Sequence, residues 1–288
     1  MKAPFNQAPV TEIALDAYLD GIENLPCAPM VLVNLIKLLQ KPDADVDDIV
    51  QLIRRDPVLS AELLRRCNSS FYGSETPSSD VTEAVYRLGF HEVYQTAVLL
   101  FGLQAMSARK TATGFPAEEL RRHSSIAAIA AGALARELGA PEDVAFTAGL
   151  LHDIGKLAMA MAEGGRYVDL IEECQRTGAS LSQSEDRAFG FNHSQVGAQL
   201  LRRWEVPEEV RVPVLAHTAT GDLDSLTILT QGASDLAQHI ASERGLVFSA
   251  TPAGQRLMQL LGLETHQIDG WEHGVLGKLE GLGSLASA

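Results

Sequence analysis

The chain has 288 residues, 46% of them apolar, which is enough for a sizeable core and lies outside the composition of disordered chains. Thirty-seven acidic residues against 23 basic ones give a formal charge of −14, which repels phosphate backbones and argues against general nucleic-acid binding. Cys27, Cys67 and Cys174 are odd in number and far apart, so neither a disulfide framework nor a sulfur-based metal site is expected. The first residues, MKAPFNQAPVTEIALD, carry no apolar leader, and no apolar run is read as reaching the ~20 residues that span a bilayer; a cytoplasmic protein is expected, without a membrane partner.

The dominant period is helical. Residues 28–40 form a strongly apolar helix, and 46–55 place Val46, Ile49, Val50 and Ile53 on one stripe. Asp56 caps the next helix, with Pro57 at its first position. A polar loop, SSFYGSETPSS, follows. Asp80 with Glu83 reads as a capping box for a helix that Gly89 ends, and 91–106 form another helix. KTATGFP, 110–116, is the best linker. Helices are then expected over 116–138, 142–161, 164–176, 192–204, 207–218, 223–242 and 253–279, with no strand. The expected fold is all-α, in two helical lobes.

Several polar residues fall on apolar faces. His123 shares a stripe with Leu120, Ala127, Ala130, Ala131 and Leu134. Gly149, His152, Asp153 and Lys156 sit at i, i+3, i+4 and i+7 of one expected helix, and so on one face. His193 aligns with Val196, Gly197, Leu200 and Trp204, in the first turn behind the N-cap Asn192, where the helix dipole disfavours imidazolium. His217 follows Val210, Pro213 and Val214, and Asp235 neighbours Gly232 and Ile228. A lone inward histidine is usually a hydrogen-bonded core residue. Four of the eight histidines with two aspartates point instead to a shared site, whose nitrogen and oxygen donors suit Mn, Fe, Zn or Mg.

The order His123, then His152-Asp153, then Asp235 resembles the H…HD…D signature of HD-type metal-dependent phosphohydrolases. That resemblance implies metal ligation by these four residues, with His193 and His217 as further ligands and Lys156 as a phosphate contact. Asp222 and Asp224 are alternatives to Asp235. The stretches LPCAPMVLVNLIKLL, IRRDPVLSAELLRRCNSSFYG, DVTEAVYRLGFHEVYQ and FNHSQVGAQLLRRWEVPEEV resemble the HDOD family, the HD-related output domains. The resemblance implies an N-terminal extension over 1–21 and an HDOD domain over 22–218. That domain would divide into a helical lobe at 22–109, a junction at 110–116 and an HD-like lobe at 117–218. Beyond the reach of the resemblance, helices in 219–288 are expected to complete the second lobe, anchored by Trp271.

The HDOD resemblance implies a bacterial regulatory module of the response-regulator output type. It would act through protein partners, without catalysis, and allows a homodimer. SSFYGSETPSS and 110–116 are the candidate contact regions. The HD resemblance implies the alternative, a phosphohydrolase acting on a nucleotide or small phosphoester. Cyclic di-GMP is excluded as substrate, because Thr218 follows His217 and no Gly-Tyr-Pro occurs.

Overall fold

The computed structural model describes residues 12–22, 30–39, 46–69, 77–106 and 111–241, with isolated positions 255, 259 and 277. Among the described residues every regular element is a helix: α1 Glu12–Asp20, α2 Met30–Leu39, α3 Val46–Arg54, α4 Pro57–Cys67, α5 Val81–Met106, α6 Ala117–Leu138, α7 Glu142–Leu151, α8 Ile154–Glu163, α9 Gly165–Thr177, α10 Leu181–Phe189, α11 His193–Arg203, α12 Glu208–Ala216 and α13 Ser225–Ala241. The expected loop segment 70–76, most of the expected helix 253–279, Trp271 and Cys27 lie outside the described residues.

Local chemistry explains the boundaries. Asp56 Oδ1 accepts from the amides of Val58 and Leu59 at 2.9 and 2.8 Å, ahead of Pro57 at the first helical position. Asn192 and Gln195 form a reciprocal capping box that starts α11. Gly139, in the left-handed conformation, closes α6. Gly89, at φ 79° and ψ 159°, breaks α5 where the sequence reading ends one helix and begins another. The box expected at Asp80 closes differently. Asp80 Oδ1 accepts from the Thr82 amide at 2.9 Å, but the Asp80 amide donates to Ser78 Oγ at 3.2 Å and Glu83 bonds to Ser78 and Arg87 instead of reaching back.

Three expectations need correction. Residues 142–161 are not one helix. The chain turns at His152–Asp153, with Asp153 at φ −100° and ψ 7°, so α7 and α8 meet at the HD pair. Residues 177–191 are not simply a connection, because they contain α10. The segment Glu142–Glu163 is long and apolar enough to cross a membrane by length and composition, contrary to the sequence reading; most of it is buried in the protein, which accounts for its apolar character.

One continuous apolar core runs from Leu15 and Leu19 on α1 through α5 and α7 to Leu236 and Ala237 on α13. Residues 12–20, placed in the expected extension, therefore belong to this core. Asp16 also bonds Arg202 and Arg203 of α11, at 2.7 and 2.8 Å. Tyr94 Oη and Thr147 Oγ1, 2.8 Å apart and buried, join α5 to α7. His91 joins the same helices by bridging Glu142 and Asp143 at 2.6 and 2.7 Å.

Small residues bring the site-bearing helices together. A Cβ at Gly149 would lie 2.7 Å from the Ala127 carbonyl oxygen, so α6 and α7 cross nearly backbone to backbone. A Cβ at Gly155 would lie 1.9 Å from the His193 carbonyl oxygen and 2.7 Å from the Gly197 amide nitrogen. The start of α8 is thus pressed against the start of α11. Gly→Ala in a helix interior ordinarily stabilises by about 1 kcal/mol. Gly155→Ala should instead destabilise by roughly 3 kcal/mol or more, since backbone must move to admit the methyl. Gly165→Ala, with open space around it, should be neutral or stabilising. Urea unfolding of the two variants checks both signs; a Gly155→Ala protein as stable as the parent contradicts the crossing.

Candidate metal centre

The α7–α8 turn places Asp153 at the N-cap position of α8, yet its side chain caps no amide there. The carboxylate turns into the core, 3% exposed, where four imidazoles converge on it from different parts of the chain. His123 Nε2, from α6, and His152 Nε2 lie 3.6 and 3.3 Å from Oδ2. His193 Nε2, at the first position of α11, and His217 Nε2, after α12, lie 3.4 and 3.5 Å from Oδ1. The ring nitrogens face each other in pairs, His123 to His152 at 3.1 Å and His193 to His217 at 3.2 Å. Two triads result, His123–His152–Asp153 and Asp153–His193–His217, sharing one carboxylate.

The far side of each ring determines what its near side offers. His152 Nδ1 donates to the Gly149 carbonyl oxygen and His217 Nδ1 to that of Val214, both at 2.7 Å. His193 Nδ1 donates to Glu185 Oε2 at 2.6 Å. A carbonyl or carboxylate oxygen only accepts, so in the neutral ring each of these Nε2 atoms carries a lone pair and no hydrogen. In the triad of Asp153, His193 and His217, three acceptor atoms therefore face one another with no hydrogen of their own to place between them. The His123 triad is different. His123 Nε2 lies 3.2 Å from Ser234 Oγ and 3.1 Å from His152 Nε2, so a proton on His123 satisfies that pair.

Burial holds two of the imidazoles, His217 and His123, neutral. Burial lowers the pKa of His217 to about 4, against the pull of Asp153, and that of His123 to about 3. Burial favours the neutral form of Asp153, but the Lys156 ammonium beside it outweighs burial, and the carboxyl stays well below its usual range. Lys156 Nζ donates to Oδ2 at 2.6 Å, so the ammonium balances the carboxylate on the side away from His193 and His217.

The geometry fits a cation. A tetrahedral ion with metal–nitrogen bonds near 2.05 Å holds its ligand atoms about 3.3 Å apart. The inner triad has edges of 3.2, 3.4 and 3.5 Å. Three lone pairs at that spacing, buried and without another donor among themselves, form a donor set that a divalent metal would fit. Asp153, His193 and His217 would hold one ion; His123 and His152 with Oδ2 offer a second, more open position.

Of the residues expected at the site, His123, His152, Asp153, Lys156, His193 and His217 come together. Asp235 joins neither triad. Its neighbour on α13, Ser234, has its Oγ 3.2 Å from His123 Nε2. Asp224 caps α13 through the Thr227 amide at 3.0 Å, and Asp222 is exposed. The sequence reading missed Glu185 and Tyr167. Tyr167 Oη donates to Glu185 Oε1 at 2.5 Å. Glu185 on α10 and Tyr167 on α9 sit in polar stretches whose inward faces are short, although QSEDRAFGFNH does put an acid eight residues before His193.

Protonation of the buried rings sets an acid limit. A histidine whose folded pKa lies below its unfolded value near 6.5 gives stability that is complete above 6.5 and lost as pH falls toward the folded value. His217 and His123 both have this sign. His91, raised by its bond to Asp143, has the opposite sign, contributing below 6.5 and losing that contribution as pH rises through its folded value. Two lowered groups outweigh one raised group, so metal-free protein should lose stability from pH 6.5 to 4.5, by on the order of 2–5 kcal/mol. Urea midpoints across that range measure it; a flat or rising profile contradicts the buried neutral rings.

A family model described as the HDOD domain matches residues 25–220. An uncharacterised protein of Treponema pallidum (strain Nichols) is 27% identical over 200 residues, 69% of this chain and 38% of that protein. Ribonuclease Y of Acholeplasma laidlawii (strain PG-8A) is 27% identical over 153 residues, 53% of this chain and 23% of the enzyme. The chain therefore spans well under half the length of these curated relatives. Among solved structures, an HDOD domain protein of unknown function from Geobacter sulfurreducens has a TM-score of 0.75 at 20% identity, covering 95% of this chain and 97% of that one. A candidate signal transduction protein from Marinobacter aquaeolei VT8 has 0.73 at 23% identity, covering 98% and 67%. A candidate phosphohydrolase from Shewanella amazonensis SB2B has 0.70 at 22%, covering 94% and 96%. At these identities the likeness concerns the fold.

Proposed function

The chain belongs to the HDOD family, and from that premise we propose that it is a regulatory protein whose buried centre takes up a divalent cation and which acts on protein partners without turning over a substrate. One observation carries the reading: among the described residues the two triads hold four imidazoles and share the one carboxylate of Asp153. The H…HD…D signature calls for a second acid on the metal, and among the described residues neither triad contains one. Such a nitrogen-rich donor set favours Zn, Mn or Fe over Mg. When bound, the ion supplies a fixed positive charge that ties the α7–α8 turn to α11 and the end of α12. The description of the Marinobacter neighbour as a candidate signal transduction protein agrees with this reading. The charge of −14 favours partners that present a basic surface, and a second copy of the chain is compatible with the fold.

A second reading, an HD-type phosphohydrolase acting on a nucleotide or small phosphoester, is favoured by one feature. A cavity of about 310 Å³ opens beside the His123 triad, lined by His123, Asp153 and Lys156 at one end and by Phe115, Leu120 and Ile171 along its walls. A phosphate there would meet Lys156.

The readings separate in one series. Protein purified without chelator should carry about one divalent ion per chain, lost in His193→Ala. It should show no turnover of nitrophenyl phosphate mono- and diesters or of nucleotides above the no-protein background, with Mn, Mg or Zn added. Turnover that disappears in Lys156→Ala overturns the regulatory reading in favour of the hydrolase, and metal-free protein overturns the metal centre.

A further inference from the structure

Glu185 is the only carboxylate, among the described residues, that bonds a ring nitrogen of the inner triad from behind. Its side chain is fully buried on α10, although acids are almost never fully buried unless paired. Both of its oxygens are engaged. Oε1 accepts from Tyr167 Oη at 2.5 Å. Oε2 accepts twice from one residue, from the His193 backbone amide at 2.9 Å and from His193 Nδ1 at 2.6 Å. Capping the first amide of α11 accounts for the first of these bonds. It does not require the second, which is the shorter and fixes the plane of the ring.

The three anchored rings differ in what holds them. His152 and His217 donate to neutral backbone carbonyls three residues earlier in their own helical turns. His193 donates to an anion from another helix, itself held by a tyrosine from a third. A carboxylate behind an imidazole fixes the tautomer and raises the basicity of the opposite nitrogen. The His193 lone pair is thus the stronger of the two imidazole donors in the inner triad, and its direction is fixed by α9 and α10.

We propose that Glu185, held by Tyr167, is a positioning residue of the metal centre: it fixes His193 in the Nδ1–H tautomer, aims its Nε2 at the site beside Asp153 Oδ1, and so sets the affinity for the ion. The proposal rests on the reading of Asp153, His193 and His217 as a divalent-metal site. It assigns a function to α9 and α10, neither of which supplies a ligand.

The test uses the full chain, with zinc affinity measured by competition against a chelator and the visible spectrum recorded after loading with cobalt(II). Glu185→Gln keeps the size of the side chain and an acceptor oxygen but removes the charge. It should weaken zinc binding 10- to 100-fold and shift the cobalt absorption bands, while the urea midpoint of metal-free protein changes little. Tyr167→Phe, which leaves the carboxylate in place without its brace, should weaken binding several-fold. His193→Ala is the reference for losing the ligand itself. If wild-type protein binds neither metal, the metal-site reading fails and the proposal falls with it. If wild-type binds and His193→Ala does not, while both Glu185→Gln and Tyr167→Phe bind as tightly as wild type with unshifted bands, the metal site stands and the positioning role is overturned. Should Glu185→Gln not fold, Tyr167→Phe decides alone: unchanged affinity and spectrum overturn the proposal.

Discussion

The constraint on which this structure depends is a surplus of lone pairs at one buried point. His193 and His217 each spend their ring N–H on an oxygen behind them, leaving two nitrogen lone pairs 3.2 Å apart and facing the Asp153 carboxylate. Three acceptors cannot satisfy one another, and buried polar groups without partners are costly. A proton placed there would make an imidazolium, which burial opposes at His217, or a carboxylic acid, and the Asp153 carboxyl is held well below its usual range. A divalent cation resolves it at the spacing the atoms already have. The balance of forces at this point therefore favours a cation-binding centre over a vestigial histidine cluster.

Much of the fold can be understood as holding that point in place. The α7–α8 turn frees the Asp153 carboxylate from capping and directs it inward. Gly149 brings α7 against α6, and Gly155 brings α8 against α11, which places His123 and His193 on opposite sides of the carboxylate. Lys156 neutralises Asp153 through Oδ2 and leaves Oδ1 to the inner triad. The interior tolerates this polar cluster because every charge in it has a partner within one turn of helix or across one helix contact. At the periphery, α1 closes over α11 with Leu15 and Leu19 in the core and Asp16 on Arg202 and Arg203, so the helix that begins with His193 is clamped at its far end as well.

The all-α class, most helix positions and the convergence of His123, His152, Asp153, Lys156, His193 and His217 were legible in the sequence, because the apolar stripes of those helices put the polar residues on inward faces. The limits were physical. The helical stripe continues across 152–153 unbroken, and only the pull of the imidazoles on Asp153 reveals the turn. On α13, Ser234 bonds His123, and a lone serine on a helix carries no signal of such a contact in the sequence. Glu185 and Tyr167 lie on short polar helices whose importance comes from tertiary contact with His193, a relation that no local pattern encodes. The likeness of Glu142–Glu163 to a membrane span is the same ambiguity from the other side, since a core helix and a spanning helix share their composition.

The central claim concerns where three protons sit, and nitrogen-15 NMR of the histidine rings measures that directly. In metal-free protein near neutral pH, His152, His193 and His217 should each show a protonated Nδ1 and a bare Nε2, and zinc should shift the Nε2 signals of His193 and His217 while leaving their Nδ1 protons in place. A protonated Nε2 on His193 or His217, or an imidazolium at either, would contradict the account, because the three facing lone pairs would then not exist.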